Sequence, residues 1–490
     1  MDLLTFHMTT LALLSGLGHS IVVIASLLVY MVATRIGQQR RHPSAALAWV
    51  VAMIAFPYGA LPLFLLIGSR KFLRPVQRHP AALPAPQSWG DQGYPGDGSE
   101  GADTAPPEWV ARLLRALDLP EAMRNTRVEF QSNGEEALAA LLKTIDSAHD
   151  QLVLSTYVLA ADATGEQVAQ ALERCVARGV RVRVLIDAIG SLQTPRTLLR
   201  DWRGMGIAVR RFMPLLHNPL YGRLNLRNHR KLVVADGHLL WSGGRNLADE
   251  YFVGKNGAPP WVDLGFVVEG PLAAQALAQF DADWRAAPGR IHRKKHRAPA
   301  VVRPAPLAPA PGQTWTQWIP SGPDHADDTL HALLLSAAFQ ARESIVAVTP
   351  YFVPDDALLA AWTLACRRGV RLRLLLPRRS NHRLADWARE RALRQLAQAG
   401  AEIHLLPGML HAKCVLIDGE WALSGSLNLD ARSLFLNYEA MTAFYGQAEV
   451  QWLQEWHEAL LAGADPYVAR RPSWPRDIFE GMVRTVGFQL

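Results

Sequence analysis

The sequence predicts an α/β protein made of two units related by a pseudo-twofold axis, preceded by an amino-terminal membrane segment. Helical and strand-like apolar patterns alternate from residue 108 onward, and the same motif recurs near the end of each half. Two uncharged apolar stretches open the chain. The predicted boundaries are a membrane anchor at 1–75, a linker at 76–107, a first domain at 108–285, a second linker at 286–313 and a second domain at 314–490.

Composition excludes several classes of protein. The 490 residues suffice for two to four domains at roughly 100–200 residues each. A hydrophobic fraction of 49% with only 19% charged residues excludes a disordered chain. The net charge of +7 favours anionic partners, such as phospholipid headgroups or nucleic acid, without choosing between them. Cys175, Cys366 and Cys414 form no paired motif, which excludes a disulfide scaffold and favours a reducing compartment.

The two apolar stretches run from Leu11 to Ala33 and from Ala45 to Ile67. Each would extend roughly 34 Å as a helix, enough to cross the hydrocarbon core of a bilayer. We expect a membrane hairpin rather than a cleaved signal peptide, because no Lys or Arg precedes the first stretch and a second stretch follows. Pro57 and Pro62 are expected to kink the second stretch or to turn it back within one leaflet.

Two polar or proline-rich segments are interpreted as linkers. The first contains a G-x-G-x-x-G match at 96–101, which we attribute to chance because a dinucleotide-binding loop must follow a strand and open a helix. The second begins with a basic run at 290–297. Both a solvated linker and contact with acidic headgroups remain open for that run.

The soluble part of the chain contains an internal repeat. The segments CVARGVRVRVLID, from Cys175, and CRRGVRLRLLLP, from Cys366, agree in order and nearly in composition. Two copies of one α/β unit explain this agreement. The two cysteines fall at the same helical position of each copy, where we interpret them as small buried hydrophobic residues rather than nucleophiles.

Each copy leads into the motif H-x-K-x4-D-x6-G-[GS]-x-N. The motif residues are His229, Lys231, Asp236 and Asn246 in the first half, and His411, Lys413, Asp418 and Asn428 in the second. A single H-x-K-x4-D match is weak evidence, because short motifs carry a substantial false-positive risk. Two copies with the same extension, each at the end of a repeated unit, are not a coincidence.

The spacing of this motif suits phosphodiester chemistry. Residues two apart on an extended strand point to the same side, so each motif presents an imidazole beside an ammonium. Two motifs meeting across a pseudo-twofold axis would surround one phosphate. The lysines, with Asn246 and Asn428, would stabilise the nonbridging oxygens, while one histidine attacks phosphorus and the other protonates the leaving alkoxide. We expect neither a metal nor another cofactor.

The paired motifs resemble those of the phospholipase D superfamily, and the chain is similar over nearly its whole length to the bacterial cardiolipin synthases. The segments that carry the resemblance are RLNLRNHRKLVVADG, GGRNLADEY, TPYFVPDD, GMLHAKCVLIDG and GSLNLDARSLFLNYE. LAWVVAMIAFPYGALPLFLLIGSRK resembles the membrane hairpin of that family. One departure is LPRRSNHR, where Ser380 and Asn381 stand in place of an expected acidic residue.

The resemblance implies two phospholipase D-like α/β sandwich units with the active site between them. It further implies phosphatidyl transfer between two molecules of phosphatidylglycerol, which gives cardiolipin and glycerol through a phosphatidyl-histidine. We expect His229 to be the nucleophile and His411 the acid and then the base. The reverse assignment stays open because the two motifs are symmetric.

Four carboxylates are expected to support this chemistry. Asp236 and Asp418 are expected to hold the motifs in place rather than to touch substrate. Glu439, in the LNYE segment, is expected to orient an imidazole through its second nitrogen. Asp263, in WVDLG, is expected to do the same for the first half.

The expected partners are anionic phospholipids and the membrane, without nucleic acid, and no oligomeric state is predicted. The expected location is the bacterial inner membrane, as a multi-pass protein with cytoplasmic catalytic domains, although the positive-inside rule gives a near tie. Three alternatives remain: a phospholipase D-type hydrolase or a transferase using phosphatidylethanolamine, a nuclease, and a lipid-binding scaffold without turnover. A membrane hairpin disfavours the nuclease, and two intact motifs disfavour the scaffold.

Overall fold

The computed structural model describes residues 3–36, 43–65, 105–213, 225–287, 314–325 and 327–486. Most of both expected linkers therefore lies outside the described residues, including the glycine motif at 96–101 and the basic run at 290–297. The chain divides into two compact units, one of residues 1–74 with 214–226 and one of residues 75–213 with 227–490.

The amino-terminal unit is helical. Its helices are α1 (Leu3–Ile36), α2 (Pro43–Ala55) and α3 (Pro57–Leu63). Tyr30 packs against Phe64 with ring centroids 5.0 Å apart, in a small buried cluster that also contains Met53 and Ala60. The second apolar stretch, which we expected to be kinked or to turn back at its prolines, is divided into two helices, since Pro57 opens a new helix directly after Phe56.

The expected pair of membrane-crossing helices, over 11–33 and 45–67, is not shown by this structure. No helix in the described parts of the chain is both long enough and apolar enough to cross a membrane. The break at Phe56 divides the second stretch into helices of 13 and 7 residues, whereas a spanning helix needs about 20.

The larger unit contains two α/β halves. The helices of the first half are α4 (Glu108–Ala116), α5 (Gly134–Asp146), α6 (Ala163–Ala177), α7 (Arg196–Gly204) and α8 (Leu272–Ala286). Its strands are β1 (Met123–Asn125), β2 (Arg127–Gln131), β3 (Gln151–Thr156), β4 (Arg181–Asp187), β5 (Ala208–Phe212), β6 (Arg227–Asn228), β7 (Leu232–Ala235), β8 (Leu239–Gly243) and β9 (Gly265–Glu269).

The second half repeats this plan. Its helices are α9 (Thr329–Gln340), α10 (Asp356–Arg367), α11 (Arg383–Gln398), α12 (Ala431–Phe435), α13 (Gln447–Leu461) and α14 (Trp474–Val486). Its strands are β10 (Thr314–Ser321), β11 (Ser344–Val348), β12 (Phe352–Val353), β13 (Arg371–Pro377), β14 (Glu402–Leu406), β15 (Cys414–Ile417), β16 (Trp421–Gly425), β17 (Leu429–Asp430), β18 (Asn437–Phe444) and β19 (Asp465–Pro466).

The topology of the two sheets confirms the predicted internal repeat. The first sheet has the order β2-β9-β8-β7-β3-β4-β5, and the second contains β10-β18-β16-β15-β11-β13-β14. Corresponding pairs have the same direction: the first four pairs are antiparallel and the last two parallel in both sheets. The parallel strands are joined through α6 and α7 in the first half and through α10 and α11 in the second, as parallel pairing requires.

The repeated cysteines lie against the cores of their halves, as predicted. Cys175 is buried, and its thiol donates a hydrogen bond to the carbonyl of Ile145 at 3.1 Å. Cys366 is half-buried and packs against the core of the second half. Burial raises the pKa of both thiols, which keeps them protonated and poorly nucleophilic at neutral pH.

Backbone pairing joins the two halves. Strand β1 of the first half pairs with β10 at the edge of the second sheet. Strand β6, immediately before His229, pairs in parallel with the start of β18. An isolated parallel bridge links Val262 to Leu410, immediately before Asp263 and His411. The halves therefore meet at the residues that carry the motifs.

Arg230, between the motif residues His229 and Lys231, ties this interface together. Its guanidinium is fully buried and donates to Asp283 at 2.5 Å, on α8 of the first half. It also donates to Asp324 at 3.0 Å and to the carbonyl of Glu439 at 2.9 Å, both in the second half. Burial opposes the charge, but the two carboxylates raise the pKa of Arg230 above its ordinary value.

Replacing Arg230 by Ala is expected to destabilise the protein by about 3–5 kcal/mol, because it leaves the carboxylate of Asp283 buried without its partner. The measurement is the apparent free energy of unfolding from a urea titration. Arg174→Ala is the matched control, since its pair with Asp146 is solvent-exposed and contributes at most about 1 kcal/mol. Equal losses in the two variants would contradict this account of the interface.

Candidate active site

The two predicted histidine–lysine pairs lie on extended segments that lead directly into strands. His229 and Lys231 precede β7, and His411 and Lys413 precede β15. All four side chains are buried, with 8% of His229 and 4% of His411 exposed. Each motif therefore presents its imidazole and its amine at the start of an interior strand of its own sheet, where the two halves meet.

Each imidazole contacts a carboxylate from the opposite half. Nδ1 of His229 lies 3.0 Å from the carboxylate of Glu439 and 3.1 Å from the carbonyl oxygen of Ser426, a residue of the second motif. Nδ1 of His411 lies 2.7 Å from Oδ2 of Asp263. The two motifs are thus brought together, and each depends on the other half for the position of its ring.

The position of Asp263 corrects the sequence expectation that it would orient the histidine of the first half. The backbone explains the exchange, because the N–H of His411 donates to the carbonyl of Val262 at 2.7 Å. The N–H of His229 likewise donates to the carbonyl of Tyr438, at 2.9 Å. In both cases the next residue along the chain carries the carboxylate: Asp263 follows Val262, and Glu439 follows Tyr438. The backbone hydrogen bond therefore places each carboxylate beside the imidazole of the opposite half.

Burial sets the protonation of the two imidazoles. Burial and the neighbouring Lys231 lower the pKa of His229 to about 4, although Glu439 acts to raise it. Burial and Lys413 lower the pKa of His411 to about 3, against the opposing effect of Asp263. Both rings are therefore neutral at neutral pH. Because Nδ1 faces a carboxylate, it carries the proton and leaves the lone pair on Nε2.

The carboxylates themselves are ionised. Burial acts to raise the pKa of Asp263, but His411 and Lys413 lower it to about 2. The pKa of Glu439 is also lowered, because His229 and Lys231 outweigh its burial. Ser426 donates a hydrogen bond to Glu439 at 2.5 Å. Charged carboxylates in these positions would stabilise a positive charge that forms on either imidazole.

The two lysines bring buried positive charge to the same place. Nζ of Lys231 donates to the carbonyl of His229 at 2.8 Å. Nζ of Lys413 lies 2.8 Å and 3.0 Å from the two ring nitrogens of His411 and also contacts the carbonyl of that residue. Burial lowers the pKa of Lys413 to about 8 and that of Lys231 well below its ordinary value. A bound anion would relieve this penalty, which makes the site suited to a phosphate group.

The motif asparagines hold the loops beside the histidines. Nδ2 of Asn246 donates to the hydroxyl of Tyr251 at 2.8 Å, and Nδ2 of Asn428 to the hydroxyl of Ser433 at 3.3 Å. Oδ1 of Asn246 accepts from the N–H of Val158, whereas Oδ1 of Asn428 is buried without a partner among the described residues. Their contact with phosphate stays a prediction.

The motif aspartates lie away from the imidazoles, on the turn that follows each strand. Asp236 accepts hydrogen bonds from the N–H groups of residues 149–151, at 2.8–2.9 Å. Asp418 accepts from the N–H groups of residues 342–344. Both adopt a φ of 52°, a left-handed conformation that aspartate tolerates. These contacts support the expectation that the aspartates hold the motifs in place.

Aromatic rings cover the two imidazoles, and the sequence analysis did not single them out. Tyr157 lies edge-on to His229 with ring centroids 5.1 Å apart. Tyr251 lies edge-on to His411 at 5.0 Å, with Trp261 at 5.6 Å. Their positions in the sequence could have identified these tyrosines. Tyr157 directly follows β3, and Tyr251 ends the segment GGRNLADEY of the first motif.

Ser380 and Asn381, which stand where an acidic residue was expected, lie in a loop beside Tyr351. The hydroxyl of Tyr351 donates to Oδ1 of Asn381 at 2.5 Å. The N–H of Ser380 donates to the carboxylate of Asp386 at 2.9 Å, so an acidic side chain does approach this loop, from α11. No group of three His, Cys, Asp or Glu side chains in the described residues is arranged to hold a metal ion.

The chain is similar to known proteins over most of its length. A family model described as the cardiolipin synthase, phospholipase D-like domain matches residues 141–284 and 334–461. Cardiolipin synthase A of Escherichia coli O1:K1 is 30% identical over 469 residues, which cover 92% of this chain and 94% of that protein. The protein of the same name from E. coli strain K12 / DH10B gives the same values.

A solved structure shares the fold. The crystal structure of phosphatidylserine synthase from Haemophilus influenzae Rd KW20 superposes with a TM-score of 0.60 at 14% identity. It covers 78% of this chain and 100% of its own. Together with the family match, this likeness confirms the predicted phospholipase D-like α/β fold.

The pKa of Lys413 predicts how the site binds a tetrahedral oxyanion. Lysine is charged below its pKa, so affinity for tungstate is expected to fall by up to about tenfold per pH unit above pH 8. Lys413→Arg keeps its charge and is expected to weaken this alkaline decline, leaving only the part that Lys231 contributes. Calorimetric titration between about pH 7 and pH 9 measures the effect, with the exposed Lys255→Arg as control. An unchanged decline in Lys413→Arg would contradict the assignment.

Proposed function

The chain belongs to the cardiolipin synthase family of the phospholipase D superfamily and is a phosphatidyltransferase, and from this premise we propose that it joins two molecules of phosphatidylglycerol into cardiolipin and glycerol. The observation that carries the proposal is the meeting of two imidazole–lysine pairs, each with a carboxylate supplied by the opposite half. This arrangement provides one nucleophile and one acid–base group at a single site.

In the first step, Nε2 of His229 attacks the phosphorus of one phosphatidylglycerol. The bond between phosphorus and the glycerol oxygen breaks, and protonated His411 donates a proton to that oxygen, so glycerol leaves. The charge of the bound phosphodiester, together with Asp263, raises the pKa of His411 and favours its protonation on substrate binding. Glu439 stabilises the positive charge on the phosphatidyl-histidine through Nδ1–H.

In the second step, a glycerol hydroxyl of another phosphatidylglycerol attacks the same phosphorus. His411, now neutral, takes the proton of that hydroxyl, and the bond between Nε2 of His229 and phosphorus breaks. Cardiolipin forms, His229 returns to its neutral state and His411 to its protonated state, so the cycle balances. In both steps Lys231 and Lys413 stabilise the charge that develops on the nonbridging oxygens.

Transfer in place of hydrolysis requires that water reach the phosphatidyl-histidine more slowly than the second lipid. The burial of both imidazoles, the edge-on packing of Tyr157 and Tyr251 and the tilted ring of Trp261 support this requirement. The same packing restricts the rings to one orientation, which suits attack on a single phosphorus.

We also propose that the amino-terminal unit contacts the bacterial inner membrane as a hairpin, with the catalytic halves on the cytoplasmic face. Large apolar side chains are exposed along its helices, which supports contact with lipid. They include Ile21, Ile24, Leu28, Val51, Ile54 and Phe56. Phospholipid substrates give the enzyme a reason to remain at a membrane.

Product analysis tests the overall reaction. Purified protein supplied only with phosphatidylglycerol is expected to form cardiolipin and free glycerol in equal amounts, with or without EDTA, as followed by mass spectrometry. Phosphatidic acid without cardiolipin would indicate a hydrolase instead. A requirement for phosphatidylethanolamine would change the identity of the donor or acceptor.

Replacing either motif histidine tests the shared site. His229→Ala and His411→Ala are each expected to lower the rate at least about 10³-fold, because neither half holds both the nucleophile and the acid. His238→Ala, on the exposed turn of the first motif, is the control. A fully active His411→Ala variant would contradict the shared site.

Trapping identifies the nucleophile. Acid-quenched reactions with labelled phosphatidylglycerol are expected to leave the label on His229, as located by peptide mapping. Label on His411 would reverse the two assignments while leaving the transfer reaction in place.

A further inference from the structure

Two helices of the second half, α11 and α14, expose large apolar side chains. The members of this apolar surface are Leu384, Trp387, Trp474, Ile478 and Phe479. Trp474 is 78% exposed, and Ile478 lies one turn further along the same face of α14. Leu384 and Trp387 are likewise one turn apart on α11. The rings of Trp387 and Phe479 are 5.3 Å apart, which joins the two helices into one surface.

The opposite side of α14 already holds this helix in place. Val483 is buried in a cluster with Ala388 on α11 and Val353 on β12. Glu480 is buried and accepts a hydrogen bond from Arg394 on α11 at 2.6 Å. Folding therefore accounts for the inner face of α14 and for the contact of Phe479 with Trp387, but not for the exposure of Trp474 and Ile478 on its outer face.

Exposed arginines lie on α11 or within four residues of α11 or α14 in the chain. They are Arg379, Arg383, Arg391, Arg470 and Arg471, all exposed and without an ion pair in the described part of the chain. Arg383 directly precedes Leu384, and Arg391 lies one turn after Trp387 on α11. Aromatic and aliphatic side chains combined with free arginines are complementary to the interface of an anionic bilayer. A second copy of this chain fits less well, because a symmetric contact would bring the same arginines together.

The apolar surface adjoins the edge of the active site. Strand β12, which packs against α14 through Val353, pairs with β17, immediately after the motif residue Asn428. Tyr351, just before β12, packs against His382 with ring centroids 5.3 Å apart, at the start of α11. Tyr351 also donates to Asn381, in the loop that differs from the family pattern.

We propose that α11 and α14 form a membrane-docking surface, which inserts its apolar side chains into the headgroup region of an anionic bilayer beside the active site. The arginines pair with lipid phosphates, and a phospholipid then needs to move only its headgroup out of the interface to reach the histidines. The choice of phosphatidylglycerol as the lipid rests on the proposed function, whereas insertion itself does not.

Site-specific fluorescence tests insertion in the full chain. Trp474→Cys and Ile478→Cys, in a Cys366→Ser background, are labelled with an environment-sensitive fluorophore and reconstituted with phosphatidylglycerol-containing vesicles. Leu364→Cys on α10 is the matched control, because Leu364 is 47% exposed and outside the surface. Nitroxide lipids labelled near the headgroup are expected to quench the probes at 474 and 478 several-fold more than the probe at 364.

The fluorophore reports only on its own surroundings. Membrane contact by another segment of the chain therefore does not change the expected difference in quenching between positions 364 and 474. Equal quenching at 364 and 474 would overturn the proposal. Burial of the probe at 474 by self-association in detergent without lipid would also overturn the proposal. That outcome would show that a second copy of the chain, and not a bilayer, covers the apolar surface.

Transfer activity on vesicles and on monomeric lipid tests whether the apolar surface delivers membrane-bound substrate to the active site. Ile478→Asp with Phe479→Asp is expected to lower transfer on vesicles by roughly tenfold and to leave transfer on short-chain, monomeric phosphatidylglycerol within about twofold of the native rate. Arg470→Glu with Arg471→Glu, at two exposed positions before α14, is expected to show the same split. Leu364→Asp is the control.

Equal loss on both substrates, or no loss on vesicles, in the arginine variant would overturn the docking surface. An unmutated chain that transfers phosphatidyl groups on neither substrate would contradict the proposed function instead. In that case the quenching experiment still decides whether the surface inserts.

Discussion

The exchange of carboxylates between the two halves is the constraint on which the active site depends. His229 takes its partner Glu439 from the second half, and His411 takes Asp263 from the first. Each contact is reinforced by a backbone hydrogen bond from the histidine N–H to the residue before that carboxylate. Neither ring takes its carboxylate partner from its own half, so the halves must be docked before either imidazole reaches that partner. This explains why β6, β18 and a buried arginine join the halves next to the motifs.

The charges of the site follow from burial. Two imidazoles and two amines lie in one buried region with two ionised carboxylates, and burial lowers the pKa of all four basic groups. Such an arrangement costs stability in the absence of an anion, because buried charge loses its hydration. Neutral imidazole is the nucleophilic form of the side chain, and a bound anion would favour protonation of the second ring. In the proposed reaction, the same electrostatics would serve both binding and proton transfer.

The repeat is close in topology but differs in its chemistry. Asp187 ends β4 and accepts from the N–H of Asn228, whereas Pro377 ends the corresponding strand β13. Arg230 lies between the histidine and lysine of the first motif, and Ala412 lies there in the second. The second half also carries α14, whose outer face is apolar. These differences give the two histidines distinct surroundings, as the two different histidine roles of the proposed reaction would require.

The sequence by itself determined the repeat, the motif residues and the alternation of helices and strands. Apolar periodicity is local, so the helical spacing of residues 135–148 is enough to indicate a helix where α5 (Gly134–Asp146) forms. Spacing likewise placed each lysine beside its histidine. Tertiary structure alone decided which half supplies each carboxylate, which tyrosines cover the rings and where Arg230 reaches, because these contacts join residues far apart in the chain. It also divided the second apolar stretch at Phe56, where the sequence had indicated only a kink or a return. Periodicity reports which face of an element is buried, whereas the partner on the other side of that face is set by docking.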